Sequence, residues 1–72
     1  MQQSIYTAPS ARDIAERALR DRCFEVGLDL TNTEACVDYF IFRLSHKEMA
    51  VKYNITIESS GNKKHKLKQK IK

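Results

Sequence analysis

The plainest chemistry in this chain is that of six ammonium groups. Lys63, Lys64, Lys66, Lys68, Lys70 and Lys72 fall within the last ten residues, and from Lys64 onward lysine occupies every second position. The chain as a whole carries a net charge of +4, whereas residues 1–62 hold nine Asp/Glu against seven Lys/Arg. The cationic excess is therefore confined to one short segment. Such a segment suggests a polyanionic partner, which is nucleic acid, an acidic protein face or an anionic membrane surface. Lysine is a point charge suited to sequence-independent phosphate contact. With no arginine in the run, bidentate reading of guanine is not supported there, and specificity has to come from elsewhere. Tyr53 is the only aromatic residue near it, too few for a single-strand stacking platform.

The other reactive side chains point to no catalytic or metal chemistry. Cys23, Cys36, His46 and His65 are separated by 13, 10 and 19 positions, which fits no close-paired zinc pattern. Each cysteine sits on an apolar helix face, where a small buried hydrophobe is its ordinary role. Gly27 and Gly61 lie too far apart for a phosphate-binding loop. Glu34 and Asp38 share a helix face, and solvated surface carboxylates are the simpler reading of that pair. The expectation is a non-enzyme with no cofactor and no metal.

Seventy-two residues make one small domain at most, whose core buries only roughly 60% of the unfolded surface. The N-terminal residues show neither the basic nor the apolar region of a signal peptide. The longest unbroken apolar stretch, residues 39–42, is far short of a membrane span. The reading is a cytoplasmic protein with reduced thiols and no membrane partner.

Several elements must position the lysines. Residues 1–9 read as an extended lead-in. A helix is expected over 10–26, with Ser10 as N-cap and Asp13 three residues on. Ile14, Ala15, Ala18, Leu19 and Cys23 recur on its apolar face, and Gly27 ends it. A second helix is expected over 32–46 from the capping box of Thr31 and Glu34. Its apolar residues, from Ala35 through Leu44, go almost round the helix, so that it is buried on more than one side. Tyr39 and Phe42 are the candidates for contact with a second subunit in a homodimer or with a protein partner.

From Lys52 the period changes to two. Tyr53, Ile55 and Ile57 alternate with polar residues over 52–58, Ser59-Ser60-Gly61-Asn62 reads as a turn, and alternation resumes over 63–71. That pattern predicts a hairpin, with a basic helix or a solvated tail as alternatives, because Leu67 and Ile71 also suit helical spacing. The expected fold is α+β: two antiparallel helices followed by a C-terminal β-hairpin with a lysine-rich face.

Two family resemblances bear on this. Residues 44–56, LSHKEMAVKYNIT, resemble the first helix and turn of LuxR/GerE-type helix-turn-helix domains, with Leu30, Thr31 and Glu34 near that family's L-T-x-x-E start. That resemblance implies a recognition helix over 56–70 lying in the major groove of DNA. Ser59-Ser60-Gly61-Asn62 is a poor helix interior and departs from it. Residues 27–63 are similar to the helix and first strand pair opening the JAB domain of RadC-like proteins, through Thr31-Asn32-Thr33, Asp38-Tyr39-Phe40-Ile41, Arg43-Leu44-Ser45-His46, Glu48 and Ser59-Ser60-Gly61. That family's H-x-H-P metal motif is not among the matched residues, so no peptidase-like chemistry is carried over.

The function expected from these residues is that of a small basic nucleic-acid-binding protein, a regulator or accessory factor, touching the phosphates of DNA or RNA through its six tail lysines. The competing reading is a protein-interaction module, a small inhibitor or adaptor, docking through the apolar second helix. A third is that the lysines only protect a sheet edge from aggregation.

Overall fold

The computed structural model describes residues 10–72, so the expected lead-in at 1–9 lies outside the described residues. Four helices follow one another: α1 Ala11–Glu25, α2 Leu30–Phe40, α3 His46–Tyr53 and α4 Ile57–Ile71. No strand occurs among the described residues. The expected α+β fold with a C-terminal hairpin is therefore incorrect, and the lysine run is helical.

The α1 helix begins as its sequence dictates. The Ser10 hydroxyl accepts from the Asp13 amide and the Asp13 carboxylate accepts from the Ser10 amide, so two amides at the helix start are satisfied. The chain leaves α1 through Gly27, whose φ of +80° is cheap only for a residue without Cβ. Asp29, rather than Thr31, caps α2, accepting from the Asn32 amide at 2.8 Å. Glu34, expected to close a capping box, reaches across to Arg20 of α1 instead.

The second helix is shorter than its apolar run implied. It ends at Phe40, and Arg43 then takes a left-handed conformation with φ +56°. The Leu44 amide donates to the Asp38 carbonyl at 2.9 Å, giving one of the last carbonyls of the helix a donor. Ser45 and Glu48 form a second complete capping box and start α3. Asn54, with φ +55° and ψ +49°, closes α3, and Thr56 caps α4 by accepting from the Ser59 amide at 2.9 Å. Two helices joined across Asn54, Ile55 and Thr56 form a helix-turn-helix. The first resemblance implied a helix over 56–70, and α4 is helical there, whereas the strand pair implied by the second does not occur among the described residues.

The core is small and built mostly from α2. Cys23, Ala35, Cys36, Val37, Tyr39, Met49 and Leu67 are buried, with Leu19, Leu28, Phe40, Leu44, Tyr53 and Ile71 packed around them. α4 packs on α3 and α2, and α1 on α2. Arg22 of α1 also donates to the carbonyls of Ile71 and Lys72 at 3.0 and 2.9 Å, giving acceptors at the C-terminal end of α4 a donor. Among the described residues no helix is long and apolar enough to cross a membrane.

Candidate nucleic-acid interface

What lets a helix form over Ser59-Ser60-Gly61-Asn62 is tertiary. Ser60 is fully buried, and its small side chain allows α4 to approach α2 and α3 closely. Its hydroxyl lies 2.8 Å from the Tyr39 hydroxyl and 3.0 Å from His46 Nδ1, while the Tyr39 hydroxyl also donates to the Ser60 carbonyl at 2.9 Å. One residue from each of α2, α3 and α4 thus meets in a satisfied polar cluster, which is costly to leave half-made and so fixes how α4 is presented. Lys63 adds a second tie, its ammonium donating to Asn32 Oδ1 of α2 at 2.9 Å.

With Ser60, Leu67 and Ile71 turned inward, the helical rotation of roughly 100° per residue fixes the other positions of α4. Glu58, Asn62, His65 and Gln69 recur at intervals of four, three and four, and all four are exposed. They form the outermost row. Lys63, Lys66 and Lys70 lie along one flank, where they line an open groove of about 490 Å³ with Asn32, Ser59, Asn62 and an apolar floor of Leu28, Ile55 and Leu67. Lys64, Lys68 and Lys72, four residues apart, turn toward the other flank. Lys64 stands over the Phe40 ring at 5.8 Å and lines a second cleft with Arg43.

Lys64, Lys66, Lys68, Lys70 and Lys72 do not make the single stripe that strand geometry implies. They form two flanks around a row of hydrogen-bonding side chains, an arrangement the lysine count alone conceals. The row missed in the sequence carries a recognisable signal, since positions 58, 62, 65 and 69 have the spacing of one helix face.

The expected interface residues on the second helix fare differently from each other. Tyr39 is 2% exposed and belongs to the core. Phe42 lies beyond the end of α2, half-exposed, with the Arg12 guanidinium 5.7 Å from its ring centroid. Ala35, Cys36, Val37 and Asp38 are all buried within the chain, while Leu30 at the start of α2 is exposed.

The remaining titratable groups hold the scaffold together. Asp38, expected as a surface carboxylate, is 4% exposed and accepts from Lys52 Nζ at 2.8 Å and from the Tyr53 hydroxyl at 2.6 Å, tying α2 to the end of α3. Burial, and then the bond to Asp38, push the Tyr53 phenol well above its usual range. Arg20 bridges Glu16 and Glu34. Its bond to Glu34 holds the guanidinium further up and is the main cause that lowers the Glu34 carboxyl. Cys23 and Cys36 are free and buried, and burial raises the Cys36 thiol to about 12, so its thiolate is scarce at neutral pH. Among the described residues no three His, Cys, Asp or Glu side chains gather as a metal site. Comparison with protein-family models, with curated proteins and with solved structures finds no match to this chain.

Proposed function

We propose that this protein is a small DNA-binding regulatory or accessory factor whose α4 lies in the major groove of a duplex. The observation that carries the reading is the cross-section of α4: a row of hydrogen-bonding residues between two lysine flanks, on the second helix of a helix-turn-helix. A helix with its side chains is about 10–12 Å across, and the major groove of B-DNA is about 12 Å wide. Seated there, the outer row faces base edges while each lysine flank faces one phosphate strand.

The chemistry of the row supplies what lysine lacks. Asn62 and Gln69 are amides of the type that bonds adenine in two places, and Glu58 accepts from the amino group of cytosine. Lysines position, and these residues discriminate. A duplex of RNA fits this arrangement poorly, because its major groove is too deep and narrow for side chains to read.

Gel-shift titrations of the intact chain on duplex DNA, single-stranded DNA and duplex RNA test the reading. With five or six phosphate contacts, log K on duplex DNA should fall against log salt with a slope of roughly −4 to −5. Replacing Lys63, Lys66 and Lys70 together by glutamine should make that slope shallower by about 2 to 3. Substitution is the proper probe, since Leu67 and Ile71 pack into the core and truncating the tail would remove them too. Failure of the wild-type chain to prefer duplex DNA would overturn the assignment.

A further inference from the structure

We propose that Arg43, with Lys64, holds a phosphate of one DNA strand, on the flank of α4 opposite the strand that runs along Lys63, Lys66 and Lys70. The inference rests on the reading of α4 as the groove-lying helix and extends it to a residue outside the lysine run. Arg43 occupies the connection between α2 and α3 and stands in the left-handed region at φ +56°. L-residues adopt that conformation at a cost that glycine escapes and asparagine largely escapes. Arginine is therefore not favoured there by its backbone, which directs attention to its side chain.

Its surroundings indicate what the side chain meets. The cleft it lines is about 240 Å³ and is completed by Tyr39, Phe40, Leu44 and Lys64. No carboxylate is among these residues. The ion pairs found among the described residues engage Arg20, Arg22 and Lys52, and none engages Arg43. Two cations thus face one small opening with no anion among the described residues that line it. A guanidinium beside an ammonium is a donor set for phosphate oxygens, the guanidinium offering a planar fork and the ammonium a point charge.

The location adds the strand assignment. Lys64 belongs to α4, and its flank faces away from the groove of Lys63, Lys66 and Lys70. For both flanks to meet phosphate at once, two tracks separated by about the width of a groove are needed. A duplex supplies two, whereas a single strand supplies one.

The test uses the intact chain and three variants, Arg43→Gly, Arg43→Asn and Arg43→Lys, with thermal melting of the free protein and duplex titrations over a range of salt. Glycine and asparagine should leave the melting temperature unchanged or higher, because both accept the left-handed backbone, while weakening duplex binding about tenfold and making the salt slope shallower by about 0.9. Lysine should retain the wild-type slope. Opposed movement of stability and affinity separates phosphate contact from a structural role. Wild-type affinity and slope in Arg43→Gly and Arg43→Asn, with duplex binding by the wild type intact, would overturn this inference and leave the role of α4 standing. Absence of duplex binding by the wild type, or equal affinity for single strand and duplex, would overturn both.

Discussion

The Tyr39 hydroxyl donates to the backbone carbonyl of Ser60, 21 positions away, at 2.9 Å and lies 2.8 Å from the Ser60 hydroxyl. A core aromatic of α2 thereby grips the backbone of α4 at its most buried turn. Within an α-helix that carbonyl already accepts from the amide four residues on, so Tyr39 uses its second lone pair, and the contact fixes α4 against α2 without interrupting the helix.

Replacing Tyr39 by phenylalanine should cost about 1–3 kcal/mol, because the Ser60 hydroxyl loses a partner in a site closed to water. Chemical denaturation checks the magnitude. Amide exchange at 59–62 should rise more than at 34–38, since the change loosens α4 on α2.

Gly61 should be improvable. It lies within α4, and a Cβ built on it meets nothing within 4 Å. Gly61→Ala should therefore stabilise the chain by about 0.5–1 kcal/mol through the helix preference of alanine and the lower entropy of the unfolded chain. The urea midpoint should move up, and a decrease would contradict the helical environment assigned to this residue.

Tyr53→Phe should be destabilising. The Asp38 carboxylate would keep Lys52 but lose a 2.6 Å donor, and a buried acceptor deprived of one partner costs about 1–3 kcal/mol. Thermal melting at neutral pH reads this directly.

Alkaline pH should weaken the fold. The Cys36 thiol has an ordinary value of 9.0 and is raised to about 12 by burial first and then by Cys23. Above pH 9 the unfolded chain ionises this thiol while the folded chain keeps it protonated, so the unfolded state binds fewer protons and stability falls as pH rises. The Tyr53 phenol, also raised, acts in the same direction above pH 10. Denaturant midpoints taken between about pH 8 and pH 10 should decline in the wild type. In Cys36→Ala the decline should start later, leaving the Tyr53 contribution.

The start of α1 was the most legible part of the sequence, because a cap is a local device and Ser10 with Asp13 fixes it within one turn, whereas the box of Thr31 and Glu34 misplaced the cap of α2, which is Asp29. The same pattern in Ser45 and Glu48 marks α3. It is hidden beneath an apolar run that continues past Phe40, so that one long helix over 32–46 fits the periodicity as well as two. What divides them is the left-handed Arg43, and arginine gives no sign of such a conformation.

The hairpin failed for a related reason. The alternation of Tyr53, Ile55 and Ile57 is real, but it straddles a helix end, a turn and a helix start, punctuated by the left-handed Asn54. Ser60 discourages a helix by propensity and permits this one by size, and only its partners Tyr39 and His46, 21 and 14 positions upstream, reveal the difference. The lysines were legible as charge but not as geometry, because their division into two flanks depends on which side of α4 Leu67 and Ile71 bury.

The packing of like charges along α4 gives ionic strength two opposite roles. Lys64 and Lys68, Lys66 and Lys70, and Lys68 and Lys72 are neighbours one helical turn apart, and each like-charged pair opposes helix formation by about 0.2–0.5 kcal/mol. Added electrolyte relaxes that self-repulsion within a Debye length of about 8–10 Å, firming the last turns of α4 under the conditions that would weaken the phosphate contact proposed for it. In dilute buffer the same turns are the first to fray, and a polyanion laid along them restores what the electrolyte would have supplied. Amide exchange over 66–72 should accordingly slow on binding without any change of fold.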